Sequence, residues 1–255
     1  MATGIRPAGE FCWINMITPR PAEAQAFFGA LLGWTFPEMP GMGHRIQVEG
    51  HDIGGMFDQA APNTPAGTPA YIGVMIQVEN CDATNARITE LGGRAMPAFD
   101  ILDSGRMAVC FDPNGAEFDT WQAKNMHGTD VGSDRHGAFS WFETLTSDTQ
   151  RATEFYTRLF GWTAEVMPMP GFDYTVFKRN GVPVAGLMGI LPEMRPVKPH
   201  WSTVFTVDDC DLAARRAAEL GGTVTMPPAD IPHVGRFCNL VSPQGVAFSL
   251  MTYAR

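Results

Sequence analysis

Two acidic side chains are placed where they could do chemistry. Asp119 lies in the run Glu117–Trp121 and Glu143 in the run Trp141–Leu145, each two residues from a tryptophan. Side chains alternate along an extended chain, so Asp119 shares a face with Trp121, and Glu143 with Trp141. Asn15 stands in the same relation to Trp13. A carboxyl held in an apolar surround titrates above its usual range and can take up or release a proton near neutrality. Asp119 and Glu143 are therefore the candidate catalytic groups. Trp13, Asn15, Trp121, Trp141, Ser249 and Met251 fall on the same faces and are candidate ligand contacts. An indole there either offers a flat stacking surface or fills a narrow cleft. Arg106 and Arg236, at matching positions, complete the set. Turned inward, Arg106 would pair with Asp119 or clamp an anionic ligand; turned outward, each is a solvated edge charge. Asp112 could pair with Asp119, but it sits in a turn, where such a side chain bonds the backbone.

The elements that position these residues come from an internal repeat. Trp13–Trp34 (WINMITPRPAEAQAFFGALLGW) and Trp141–Trp162 (WFETLTSDTQRATEFYTRLFGW) are each 22 residues long and identical at seven positions. Such repetition divides the chain before any finer reading. Within the first half, a β-rich run from Phe11 to Ile17 precedes a turn whose second proline suits a first helical position. Ala24, Phe27, Phe28, Leu31 and Leu32 then follow at helical spacing, and Gly33 ends the helix. Strands are expected at Arg45–Glu49 and Ile53–Asp58, after an extended restart at Trp34–Phe36 and a loop at Pro37–Gly43. After a linker at Gln59–Pro69 the pattern returns. A strand is expected at Tyr71–Val78 and a helix at Asp82–Leu91, followed by three strands at Arg94–Met96, Arg106–Phe111 and Glu117–Trp121. The second half answers in register: Cys210-Asp211 answers Cys81-Asp82, and Ser242-Pro243-Gln244-Gly245 answers Asp112-Pro113-Asn114-Gly115. The reading is an α+β fold of four βαβββ units, two per domain. Domain one covers 9–122, a linker 123–136, and domain two 137–252; residues 1–9 are a short tail.

Composition narrows the function classes. A formal charge of −9 and the lack of any Lys/Arg run give no footprint for nucleic acid and no support for an anionic membrane surface. No apolar stretch approaches spanning length. The N-terminus lacks a basic segment followed by an apolar run, so no signal peptide is expected and the compartment read is the cytoplasm. Five cysteines without a CxxC pair read as small buried hydrophobes in a reducing setting. GxSxG, phosphate-loop, dinucleotide and HExxH motifs are absent from the sequence.

Two βαβββ units set edge to edge make one twisted sheet, with helices on its outer face and a trough on its inner face. Ile14, Met16, Phe118 and Thr120 are expected under the helices. Trp13, Asn15 and Ile17, with Asp119 and Trp121, are expected in the first trough, and Trp141, Glu143 and Leu145, with Ser249 and Met251, in the second.

The helix ends Phe27-Phe28…Leu31-Leu32-Gly33-Trp34 and Phe155-Tyr156…Leu159-Phe160-Gly161-Trp162, with the DPNG and SPQG turns, resemble the vicinal oxygen chelate superfamily. That group comprises the glyoxalase, bleomycin-resistance and extradiol-dioxygenase proteins, and the tandem arrangement resembles its two-domain glyoxalase-like branch. The resemblance implies tandem domains with curved sheets, a small-molecule ligand, and a divalent metal held by a His on the first strand, a His or Gln on the fifth and a Glu on the last. Those places map to Trp13 and Trp141, to the neighbourhood of Gly73 and Ser202, with Tyr71 and His200 the nearest polar alternatives, and to Asp119 and Ser249. Indole cannot ligate, so no metal set is expected beyond Asp119 as a weak candidate, and no cofactor, although a divalent metal remains open. The expected partner is a small organic molecule, carbonyl-bearing or aromatic. The alternative is a metal-dependent lyase, isomerase or dioxygenase. The chain is expected as a monomer of pseudo-dimeric domains or as a homodimer.

Overall fold

The computed structural model describes residues 4–254 apart from 63 and 195, so the first three residues of the expected tail lie outside it. The first half forms β1 (Phe11–Thr18), α1 (Pro21–Leu32), β2 (Glu38–Met39), β3 (Gly43–Val48), β4 (His51–Asp58), β5 (Tyr71–Gln77), α2 (Cys81–Glu90), β6 (Arg94–Ala95), β7 (Phe99–Ile101), β8 (Gly105–Phe111) and β9 (Glu117–Ala123). The second forms β10 (Phe139–Thr146), α3 (Thr149–Phe160), β11 (Thr163–Met169), β12 (Phe172–Arg179), β13 (Val182–Gly189), β14 (His200–Thr206), α4 (Cys210–Glu219), β15 (Thr223–Ile231), β16 (Gly235–Val241) and β17 (Ala247–Tyr253).

Local chemistry sets the helix ends. Pro21 opens α1, and Gly33 closes it in the left-handed conformation at φ 68°. Asp148, Asn80 and Asp209 cap α3, α2 and α4 by accepting from backbone N–H groups three residues on. Two elements differ from the sequence reading. The Phe99–Ile101 strand was not expected; it pairs β8 beside a proline-interrupted stretch that runs as the single strand β15 in the second half. Trp34–Phe36 contributes only an isolated bridge between Thr35 and Gln47, and the edge strand forms later, at Glu38–Met39.

Each half makes one mixed sheet. The first has the order β2-β3-β4-β1-β5-β9-β8-β6, with β7 joined to β8, and the second the order β11-β12-β13-β10-β14-β17-β16-β15. The βαβββ units meet at the antiparallel pairs β1–β5 and β10–β14, and each seam strand is also parallel to the last strand of its own unit. Helix-facing side chains of both sheets merge into one core that includes Ile14, Met16 and Phe118. The halves pack helix side to helix side: α1 meets α4 and α2 meets α3. Aromatic pairs cross the junction, among them Trp34 with Phe205 and Phe11 stacked on Phe142 at 4.0 Å. The troughs therefore lie on the outward faces of the two sheets. Among the described residues no helix is long and apolar enough to cross a membrane.

Candidate functional site

In the first trough Trp13, Met75 and Trp121 form an apolar cluster separate from the main core, with Ile101, Met107 and Met126 against it. Register explains the grouping: Trp13 lies opposite Met75 on β5, and Met75 lies beside Asp119 on β9. Gly73, opposite Asn15, leaves room for a contact across β5, where Asn15 Nδ2 donates to Asp119 Oδ2 at 3.0 Å. Asp119 is 5% exposed, and its Oδ1 is buried without a hydrogen-bond partner among the described residues. Burial pushes the Asp119 carboxyl up to about 7, opposed by the Asn15 hydrogen bond and reinforced by the nearby Glu117 charge. Glu117 in turn accepts from the Tyr71 hydroxyl at 2.7 Å.

The second trough is built differently. Trp141 Nε1 donates to the Tyr174 hydroxyl at 2.9 Å, and that hydroxyl lies beside Glu143. Gly186 lies in register with Glu143 and underneath this contact; a Cβ there would overlap the Tyr174 hydroxyl. Burial pushes the Glu143 carboxyl up, and the neighbouring Tyr174 hydroxyl pulls it partly back. Ser249 is buried and donates to Asn239 Oδ1 at 2.7 Å, while Met251 is buried beneath the trough surface.

Arg106 and Arg236 are in neither trough. Arg106 pairs through Nε and Nη2 with Asp82 in the first turn of α2, both bonds at 3.0 Å, and Arg236 pairs with Asp211 in the first turn of α4. Strand parity is the reason. Ala108 and Cys110, two and four residues beyond Arg106, are buried in the helix-facing core, whereas Met107 joins the trough cluster. Each arginine ties a strand end to a helix start, away from Asp119 and Glu143. Asp112 is also elsewhere: it accepts from the backbone of Asn114 and Ala116 and from the Tyr156 hydroxyl of the other half.

The comparisons with known proteins agree with this architecture. Residues 13–121 match the model of a glyoxalase-like domain, and residues 138–250 that of the glyoxalase/bleomycin resistance protein/dioxygenase superfamily. CFP32 of Mycobacterium tuberculosis, which carries a provisional glyoxylase designation, is 35% identical over 246 residues, 94% of this chain and 93% of that relative. The chain belongs to the glyoxalase/bleomycin resistance protein/dioxygenase superfamily. Another superfamily relative, the anthracycline biosynthesis protein DnrV of Streptomyces peucetius, is 33% identical over 258 residues, 95% of this chain and 93% of that one. Among solved superfamily structures, the Mn(II)-bound glyoxalase of Novosphingobium aromaticivorans overlays with a TM-score of 0.68 at 14% identity, covering 96% of this chain and 82% of that chain.

A divalent metal of the kind held by that glyoxalase does not fit the donors present here. The places to which the resemblance maps the superfamily ligands hold Trp13, the neighbourhood of Gly73 and Asp119 in one trough, and Trp141, the neighbourhood of Ser202 and Ser249 in the other. An indole nitrogen has no lone pair to give, and one Asp119 oxygen is already taken by Asn15. Among the described residues no three His, Cys, Asp or Glu side chains are grouped so as to hold a metal ion.

Sequence reasoning did not single out Tyr174 or Glu117. The alternation of Tyr174 and Val176 against buried Thr175 and Phe177 places Tyr174 on the trough face, and that alternation is readable in the sequence. Nothing in the sequence signals the hydrogen bond to Trp141, which crosses from β10 to β12 over the intervening β13.

Proposed function

We propose that the chain binds a small organic molecule, carbonyl-bearing or aromatic, in a sheet-lined trough, and that this binding does not use the usual three-ligand metal site. The observation that carries the reading is the pairing of an indole with a carboxyl on one trough face, Trp141 with Glu143, the indole at a place to which the resemblance maps a metal ligand. An indole face and a half-sunk carboxyl recognise a flat molecule with a polar edge. Any chemistry is proton transfer by Asp119 or Glu143, both of which burial shifts toward neutrality. The relative named for anthracycline biosynthesis is consistent with an aromatic ligand.

A second reading, a metal-dependent lyase, isomerase or dioxygenase, is favoured by the fold likeness to the Mn(II)-bound glyoxalase. Metal analysis of the purified protein separates the two. The first reading expects a substoichiometric transition-metal content and a melting temperature unchanged by EDTA. One tightly held metal per chain, whose removal abolishes a measurable activity, would establish the second.

A further inference from the structure

The two troughs differ in access. Over the first, the segment after β9 is fastened down. Lys124 N and Met126 N both donate to Ser104 O at 3.0 Å, and Met126 O accepts from Trp121 Nε1 at 2.9 Å. Thr129 N donates to Cys12 O at 2.9 Å, and Arg6 Nε to Thr129 O at 2.9 Å. The Met126 side chain packs into the Trp13 cluster. Trp13 is left 7% exposed and Trp121 1% exposed. Trp141, Glu143 and Tyr174 of the second trough all keep solvent-accessible surface.

The second trough also has an ordered polar edge. The Trp141 N–H is spent on the Tyr174 hydroxyl, which lies beside Glu143. An ionised carboxyl there can only accept. A ligand that bonds it must bring a donor. The sequences of β10, β13, β14 and β17 contain no lysine or arginine, and the two cations of β12 are engaged, Lys178 with Glu165 and Arg179 with Glu10. The Trp141 ring has no aromatic stacking partner among the described residues and keeps part of its surface exposed.

We propose that only the second trough receives ligand, and that it takes a neutral aromatic hydroxyl compound whose O–H donates to Glu143 while its ring lies along Trp141. Tyr174 is a positioning residue: it accepts from the Trp141 indole beside Glu143, over the gap left by Gly186. The proposal rests on the reading that a trough of this protein binds small organic molecules.

The test is calorimetric titration of the full chain at pH 7 with 2-naphthol and with 2-methoxynaphthalene, which keeps the ring and loses the donor. The expected result is one 2-naphthol per chain and at least about tenfold weaker binding of the ether, the loss of a charge-assisted hydrogen bond. E143L is expected to abolish the discrimination while still binding the ether, which also shows that the variant is folded. R106A, at a residue that lies in neither trough, is expected to leave both affinities unchanged. Equal binding of the two probes by the unmodified protein would overturn the donor claim and leave the trough reading intact. Two molecules per chain, or discrimination lost in D119N instead of E143L, would overturn the assignment to the second trough. Binding of neither probe would overturn this proposal, while the broader reading would then rest on its metal analysis.

Discussion

The indole nitrogen of Trp34 donates to the backbone carbonyl of Gly137 at 2.8 Å, across the junction between the two halves. Its repeat partner Trp162 does the same in reverse, donating to Gly9 at 3.1 Å. Each repeat thus ends in a tryptophan that fastens the opposite half at the residues leading into its first strand. Both rings are 3% exposed, so an unmade bond there would leave a buried polar group unpaired. Replacing the donor while keeping an aromatic ring, W34F, is expected to cost about 1–3 kcal/mol. For a chain of this size that lowers the melting temperature by about 2–10 °C, read by differential scanning calorimetry. An unchanged melting point would mean that the bond contributes nothing to holding the halves together.

Asp119 makes stability depend on pH in a defined direction. Its folded carboxyl is pushed up to about 7 by burial, against about 3.9 in an unfolded chain. Below about pH 4 both states hold the proton. Between pH 4 and 7 the folded state keeps it and the unfolded state releases it, so stability falls as pH rises. The slope from this one group is at most about 1.4 kcal/mol per pH unit, levelling off above pH 7. Urea midpoints at pH 5 and pH 8 are expected to show the protein weaker at pH 8, and D119N is expected to shrink that difference. The same difference in D119N as in the unmodified protein would place the titration elsewhere.

The repeat and the strand alternation made most of this fold legible, because both follow from where apolar side chains must go. Ile14 and Met16 alternate with Trp13 and Asn15, and a strand with one buried face has no other register open to it. The arginines show where that reasoning stops. Arg106 opens its strand beside Gly105, and one residue of phase decides between trough and helix face. The phase is fixed by Ala108 and Cys110 entering the core, a small-residue signal that a sequence reading passes over. Tyr174 was hidden for another reason: its role depends on a glycine on the neighbouring strand, and no pattern within β12 carries that information.

Because Arg106 and Arg236 serve helix starts, R106A and R236A are expected to leave probe binding in either trough within about twofold of the unmodified protein, as expected for solvent-screened pairs away from the ligand. Their partners Asp82 and Asp211, now held below the usual carboxylate range by the arginine hydrogen bonds, should return toward ordinary values. Carboxyl chemical shifts followed through an acid titration report this directly. A large loss of affinity would return the arginines to the binding machinery.

Gly186 tests the second trough without touching a polar group. A Cβ there would collide with the Tyr174 hydroxyl and stand 3.0 Å from Trp141 Nε1. G186A should therefore drive Tyr174 away from its hydrogen bond with Trp141, at an overpacking cost of about 1–3 kcal/mol. The tryptophan emission of the variant should shift, and W141F should remove most of that shift. The same substitution made at Gly189, at the end of β13, where a Cβ would meet only Thr149 Cγ2 at an ordinary 3.5 Å, should produce no such spectral change.

The five thiols give a last check, on packing rather than on the troughs. Cys12, Cys81, Cys110, Cys210 and Cys238 are all free and all buried. Burial pushes the Cys12 thiol far up and that of Cys110 to about 12, so neither forms an appreciable thiolate at neutral pH. Cys210, at the start of α4, is the exception: its thiol is lowered by the hydrogen bond it shares with Cys238, 3.4 Å away, but it remains enclosed in the core. A disulfide-exchange reagent such as Ellman's should label almost no thiol within minutes in the native protein, and five per chain in denaturant. Three thiols in denaturant would mean that Cys210 and Cys238 are joined in the purified protein. Rapid native labelling of Cys12 would mean that the segment closing the first trough opens on that timescale.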